Sequence, residues 1–182
     1  MDTWTDSNGR DWQTHEGRPI PIGAEALGTP AQITDNEAIE RFILAGNATF
    51  TLVSKATGNR LTYRVQKPDD FKEDRPIWFV KVLTGADNEN DYSYIGQIVP
   101  YTRGSSYMSF SHGKKSRIGA SAASVATIRW LVAHLVGPHG KGLPASVEFY
   151  HEGRCGRCNR TLTVPSSIET GFGPDCAEAL GI

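Results

Sequence analysis

The clearest chemistry in this sequence lies in three cysteines and a histidine near its C-terminal end. They are His151, Cys155, Cys158 and Cys176, spaced His-x3-Cys-x2-Cys with seventeen residues before the last cysteine. No other cysteine occurs in the 182 residues. A Cys-x2-Cys turn with a glycine between its thiols, here Gly156, aims two sulfurs at one point, and Zn2+ takes four such ligands tetrahedrally. The spacing predicts one Cys3His zinc site, with Asp175 or a water as the fallback for the fourth ligand. An odd number of cysteines gathered at one histidine argues against a disulfide framework. A catalytic zinc needs an open position and a nearby acid or base. The deaminase pattern H-x-E then P-C-x-x-C fails, because Gly153 stands two residues after His151 and Arg154 precedes Cys155. A closed structural site is expected, and no catalytic residue is assigned.

Cations surround these ligands. Arg154, Arg157 and Arg160 interleave the cysteines, and Lys114, Lys115 and Arg117 form a second basic turn. Their plain role is charge balance and solvation. Their sharper role is contact with phosphate or with a partner protein. Gly113-Lys114-Lys115-Ser116 superficially resembles the end of a phosphate-binding loop but lacks the glycine cradle and the helix directly behind it. The acidic stretch Asp87, Glu89, Asp91 lacks the glycine and distant glutamate of a calcium loop, and reads as a solvated hairpin. His134 and His139 read as a packed or rim side chain and an exposed one.

Several elements must position these groups. Thr34 and Glu37 fit a capping box, and Ile39, Phe42 and Ile43 follow at helical spacing up to Gly46. Ala48, Phe50 and Leu52 alternate with Thr49, Thr51 and Val53. A turn at residues 56–59 leads to Leu61, Tyr63 and Val65, so a hairpin with one buried face is expected. Residues 77–83 and 92–99 read as paired strands, and 105–111 as another. A helix from Ser121 or Ser124 to about Val136 carries Val125, Ile128, Leu131 and Val132 on its apolar face. Residues 147–150 read as a last strand delivering His151. Pro165 starts a turn that Gly171 ends. Pro174 and Asp175 suit a helix start, which places Cys176 in a first turn.

The expected fold is α+β: a mostly antiparallel sheet with two helices, plus a small C-terminal module of treble-clef or zinc-ribbon type. Three parts follow: a flexible N-terminal arm (1–33) with Trp4, Trp12 and His15, an α+β body (34–146) and a zinc module (147–182). With so few apolar residues, such a module takes much of its folding energy from the metal, about 10 kcal/mol in comparable peptides. The formal net charge of −1 excludes bulk attraction to nucleic acid or acidic membranes, so any basic surface must be local. No run of about 18 apolar residues suggests a membrane span. The N-terminus lacks a signal-peptide pattern, so a cytoplasmic location is expected, and the glycosylation patterns at Asn47 and Asn159 are taken as chance.

The segment from His151 to Ile168, with Gly171-Phe172-Gly173-Pro174-Asp175-Cys176, resembles a family of uncharacterised zinc-knuckle proteins of bacteriophages, plasmids and bacteria. The family pattern is Cys-Gly-Arg-Cys-Gly-Arg-x-Leu-Thr-x-Pro-x-Ser-Ile, then Gly-x-Gly-Pro-x-Cys. Cys155, Cys158 and Cys176 match its ligand cysteines, and Gly171, Gly173 and Pro174 its closing turn. Asn159 replaces the usual glycine. The resemblance covers roughly residues 147–180 and implies a cytosolic zinc module of mobile-element origin, without an activity. The leading expectation is a non-enzymatic, phage-type accessory protein binding nucleic acid or a nucleic-acid-handling complex. The alternatives are an inhibitor that occludes host machinery, as antidefence proteins do, and a zinc-dependent hydrolase or nuclease.

Overall fold

The computed structural model describes residues 3–5, 11–15, 18–21, 31–69 and 75–182. Near the N-terminus, strands β1 (Thr3–Thr5), β2 (Asp11–His15) and β3 (Arg18–Pro21) form a three-stranded antiparallel sheet with Trp4 opposite Trp12. A flexible arm was expected there; its backbone forms strands. The side chains of these strands, Trp4, Trp12 and His15 among them, lie outside the described residues, as does the polar-loop segment 70–74.

The remaining chain is α+β. Its elements are β4 (Ala31–Ile33), α1 (Asn36–Leu44), β5 (Asn47–Ser54), β6 (Arg60–Gln66), β7 (Trp78–Leu83), β8 (Tyr92–Pro100) and β9 (Met108–His112). They continue with α2 (Ala123–Leu135), β10 (Val147–His151), α3 (Pro165–Thr170) and α4 (Pro174–Leu180). Seven strands form one antiparallel sheet in the order β4-β10-β5-β6-β7-β8-β9. Strands β5 to β9 are a meander of sequential neighbours. After α2 the chain returns to the opposite side and lays β10 between β5 and β4.

This topology moves both boundaries expected from sequence. Ala31–Ile33, assigned to the arm, pairs with β10 as an edge strand. Val147–His151, assigned to the zinc module, is an interior strand of the body sheet. The caps also differ. Asp35, not Thr34, caps α1, its Oδ1 accepting the Ala38 N–H at 2.8 Å. Ala122 precedes α2 without a side-chain cap, so neither Ser121 nor Ser124 has that role.

Strand alternation divides the sheet into two faces. Ala48, Phe50, Leu52, Tyr63, Val65, Trp78, Val80, Val82 and Phe149 are buried together with Ile39, Phe42 and Ile43 of α1 and Val125, Ile128, Leu131 and Val132 of α2. Two polar groups on this face are satisfied by helix backbone: Tyr63 Oη donates to Ser124 O, and Trp78 Nε1 to Leu44 O. The same core continues into the C-terminal segment through Cys155, Leu162, Ile168, Phe172 and Cys176. Phe42 is the junction. Its ring lies 6.0 Å from that of Phe149, 5.7 Å from His151 and 5.8 Å from Phe172.

Two glycines let Phe42 come this close. A Cβ on Gly156 would stand 2.8 Å from Phe42 Cδ2, and one on Gly171 2.7 Å from the same atom. Gly171 also ends α3 at φ +80, where other residues are strained. The Gly156→Ala variant should therefore lose about 1–3 kcal/mol through overpacking. Far-UV circular dichroism and tryptophan fluorescence during urea unfolding should show one transition at a lower midpoint. A body unfolding at its original midpoint after the tail has melted would contradict the continuous core.

Candidate metal centre and the open sheet face

Past His151 the chain makes a tight hairpin. The Leu162 N–H donates to Gly153 O at 2.8 Å, the Cys155 N–H to Arg160 O at 2.8 Å and the Asn159 N–H to Cys155 O at 2.9 Å. Asn159 turns the chain at φ 61, a left-handed conformation that asparagine tolerates. Gly173 and Pro174 then open α4 and place Cys176 in its first turn. The Gly156 N–H donates to Gly171 O at 3.1 Å and ties the two pieces together. As a result the sulfurs of Cys155, Cys158 and Cys176 all lie within 4.8 Å of one another.

The thiols share one electrostatic problem. Burial tends to raise the Cys155 thiol, but the backbone amides of Cys158, Gly173 and Arg157 outweigh it and hold the group below its ordinary value. Cys176 is pushed up to about 11, first by burial and then by the Cys158 and Cys155 sulfurs beside it; Arg157 opposes the shift. The Arg157 guanidinium reaches Cys176 Sγ at only 3.9 Å. Three thiolates this close repel one another, and a bound dication removes the conflict. The donor set can hold a metal ion.

His151, expected as the fourth ligand, stands apart from the three sulfurs. It is fully buried, and it is not one of the grouped ligand atoms. Both ring nitrogens are engaged: Nε2 donates to Ile168 O at 2.5 Å, and Nδ1 accepts the Gly153 N–H at 3.0 Å. This arrangement requires the neutral tautomer protonated on Nε2. His151 therefore ties β10 to the hairpin and to α3. Asp175, the fallback ligand, is exposed on α4 and also lies outside the group.

The cations proposed for contact separate. Arg157 stays by the sulfurs, while Arg160, Lys114 and Arg117 are exposed and line neither of the clefts described next. Arg154 points to the other side of the hairpin, where its Nη2 meets Glu89 Oε1 at 2.7 Å. Lys115 reaches a cleft on the same broad surface, the sheet face opposite the core.

That open face carries two adjoining clefts. One, of about 430 Å³, is lined by Thr49, Thr51, Thr62, Arg60, Arg64, Tyr92, Glu89, Glu152 and Arg154 among others. Thr51 holds its floor, sharing hydrogen bonds with Thr62 Oγ1 at 2.7 Å and with the Glu152 carboxylate. Arg64 lies 4.0 Å from the centre of the Tyr92 ring. The second cleft, of about 860 Å³, contains Lys67, Lys81, Lys115, Phe79, Tyr94 and Asp69. Arg64 and Lys81 are cross-strand partners, so the clefts share a border. Six cations face three carboxylates across the two, a local excess of three positive charges on a chain with net charge −1. Sequence reading missed Arg60, Arg64, Lys67 and Lys81, which are scattered along the chain and converge only through strand register.

Residues 145–181 match the model of a family described as a family of unknown function, DUF6011. The similar region covers β10, the hairpin, α3 and α4, and leaves the meander and both longer helices outside it. No curated protein and no solved structure matches the chain. Among the described residues, no helix is long and apolar enough to cross a membrane.

Replacing the exposed Cys158 by serine should reduce bound metal from about one ion per chain to a small fraction. His151→Gln, which retains a donor and an acceptor, should keep the metal. Elemental analysis of the purified variants tests both; loss of metal in His151→Gln would restore the histidine as a ligand. Burial also holds the His151 pKa below 6.5, against the opposing Ile168 hydrogen bond and Glu152 charge. The neutral ring's contribution to stability is complete above the unfolded value of 6.5. It declines as pH falls from there through the folded pKa, because the unfolded chain binds the proton first. Urea midpoints measured from pH 8 down to 5 should fall more in the wild type than in His151→Gln.

Proposed function

We propose that this protein is a non-enzymatic accessory factor that binds single-stranded nucleic acid across the open face of its sheet. Zn2+ would staple the C-terminal module that forms one rim of that face. The observation that carries the reading is the cation and aromatic content of the two clefts. Lys67, Lys81, Lys115, Arg60, Arg64 and Arg154 can track a phosphate backbone, and Phe79, Tyr92 and Tyr94 offer rings to unstacked bases. Phe79 and Tyr94 meet edge to face at 6.2 Å, leaving ring surface on a half-buried platform. A single strand suits such a surface better than a duplex, because its bases are free to stack.

Zinc is the metal that best fits three close thiols. Soft thiolates select it over calcium and magnesium, which prefer oxygen. Cys155, Cys158 and Cys176 would hold it, and Arg157 would offset part of the resulting negative charge. The module's resemblance to proteins of phages and plasmids supports a role on a mobile element, in a cytoplasm where nucleic acid is the shared resource.

Fluorescence anisotropy with labelled single-stranded oligonucleotides tests the reading. Affinity should fall by about tenfold in Lys81→Ala/Lys115→Ala and by a similar factor in Phe79→Ala, with salt sensitivity reduced only in the lysine variant. Absence of binding to DNA and RNA, together with stable capture of one protein complex after nuclease treatment, would favour occlusion of host machinery instead.

A further inference from the structure

The acidic loop between β7 and β8 reaches over the first cleft and contacts two of its arginines. The loop has a defined shape. The Asp87 carboxylate accepts the backbone N–H of Glu89 at 2.8 Å and of Asn90 at 3.2 Å, and the Asn90 side-chain amide at 2.8 Å. Thr84 and Asp91 close its base, the Thr84 N–H donating to Asp91 O at 2.8 Å. This turn presents Glu89 to the cleft. Its backbone carbonyl accepts from Arg64 Nη1 at 3.1 Å, and its carboxylate from Arg154 Nη2 at 2.7 Å.

We propose that Arg64 and Arg154 form a phosphodiester subsite which Glu89 holds as an internal competitor until a nucleic-acid strand displaces it. The inference rests on the proposed function and adds a site and its gating residue to it. A carboxylate and a phosphate present the same acceptor chemistry to a guanidinium, and arginine suits both. Arg64 comes from the sheet and Arg154 from the metal-stabilised hairpin, so a phosphate here would bridge the body and the C-terminal module. Arg64 is half-committed: its Nε is buried without a hydrogen-bond partner, and Tyr92 supports the guanidinium plane at 4.0 Å. Displacement costs little, because the Arg154–Glu89 pair is exposed, with side chains 34% and 58% accessible.

Glu89→Gln removes the competing charge and leaves the turn built by Asp87 intact. It should bind a single-stranded oligonucleotide about three- to fivefold more tightly than the wild type, the range expected of an exposed ion pair. A plot of log affinity against log salt should steepen by about 0.7 as one more phosphate is neutralised. In an Arg154→Met background the Glu89→Gln gain should vanish. An unchanged or weaker affinity in Glu89→Gln, with the wild type binding normally, overturns the subsite while leaving the open-face reading standing. If neither wild type nor Glu89→Gln binds any oligonucleotide, the open-face reading fails and the subsite fails with it. Unmasked binding in Glu89→Gln alone supports both.

Discussion

The contact on which most of this architecture depends is that of Phe42 with the loops carrying the cysteines. Its ring is completely buried between β10 and the C-terminal segment. Gly156 and Gly171 present bare backbone to it, with no space for even a methyl group. A free module of this size would have little apolar surface to bury, and it would depend on metal for order. Here it also shares a core with a nine-element α+β body. Packing therefore stabilises the same loops that a metal on the cysteines would hold, which makes the module an extension of the domain.

The shared core gives the cysteine site a consequence beyond its own folding. Arg154 immediately precedes Cys155, and the hairpin sends the two side chains to opposite sides. Cys155 is buried and faces the other two sulfurs, whereas Arg154 meets Glu89 over the open face. Whatever fixes the position of Cys155 also fixes the starting point of the Arg154 side chain. Because β10 leads into the hairpin as an interior strand, the rim of the first cleft and the cysteine turn are built on the same backbone. A cysteine cluster can in this way set the geometry of a cleft it does not touch.

Much of the sheet was legible because its period is two and its faces differ in chemistry. The alternation of Ala48, Phe50 and Leu52 with Thr49 and Thr51 was enough to assign both faces of β5. The cysteine turn was legible because few residue patterns aim thiols so narrowly. The inward placing of His151 has a cause also present in the sequence: it continues the alternation Val147, Phe149, His151 on the inward face of β10. The spacing to Cys155 outweighed that alternation in the reading, although a strand's last inward side chain points into the core. Strand β4 escaped because three residues among glycines and prolines carry no readable period. The clefts escaped because their cations, spread from Arg60 to Arg154, meet only after six strands are placed in register.

The two faces of the sheet divide the work of the sequence. Inward positions must pack, so they are mostly apolar, and the fully buried histidine among them, His151, has both nitrogens satisfied. Outward positions on the same strands are free of that demand, yet they are not filled at random with small polar groups. They hold long cations beside aromatic rings, side chains that have entropy to lose and apolar area to cover. Thr49 and Thr51, almost fully buried on this face, show that these longer side chains lie over the sheet. Glu89 fits the same pattern: a carboxylate brought by a shaped turn to a place where Arg64 and Arg154 converge. On a chain with almost no net charge these cations gather locally, and Glu89 sets an internal anion beside two of them.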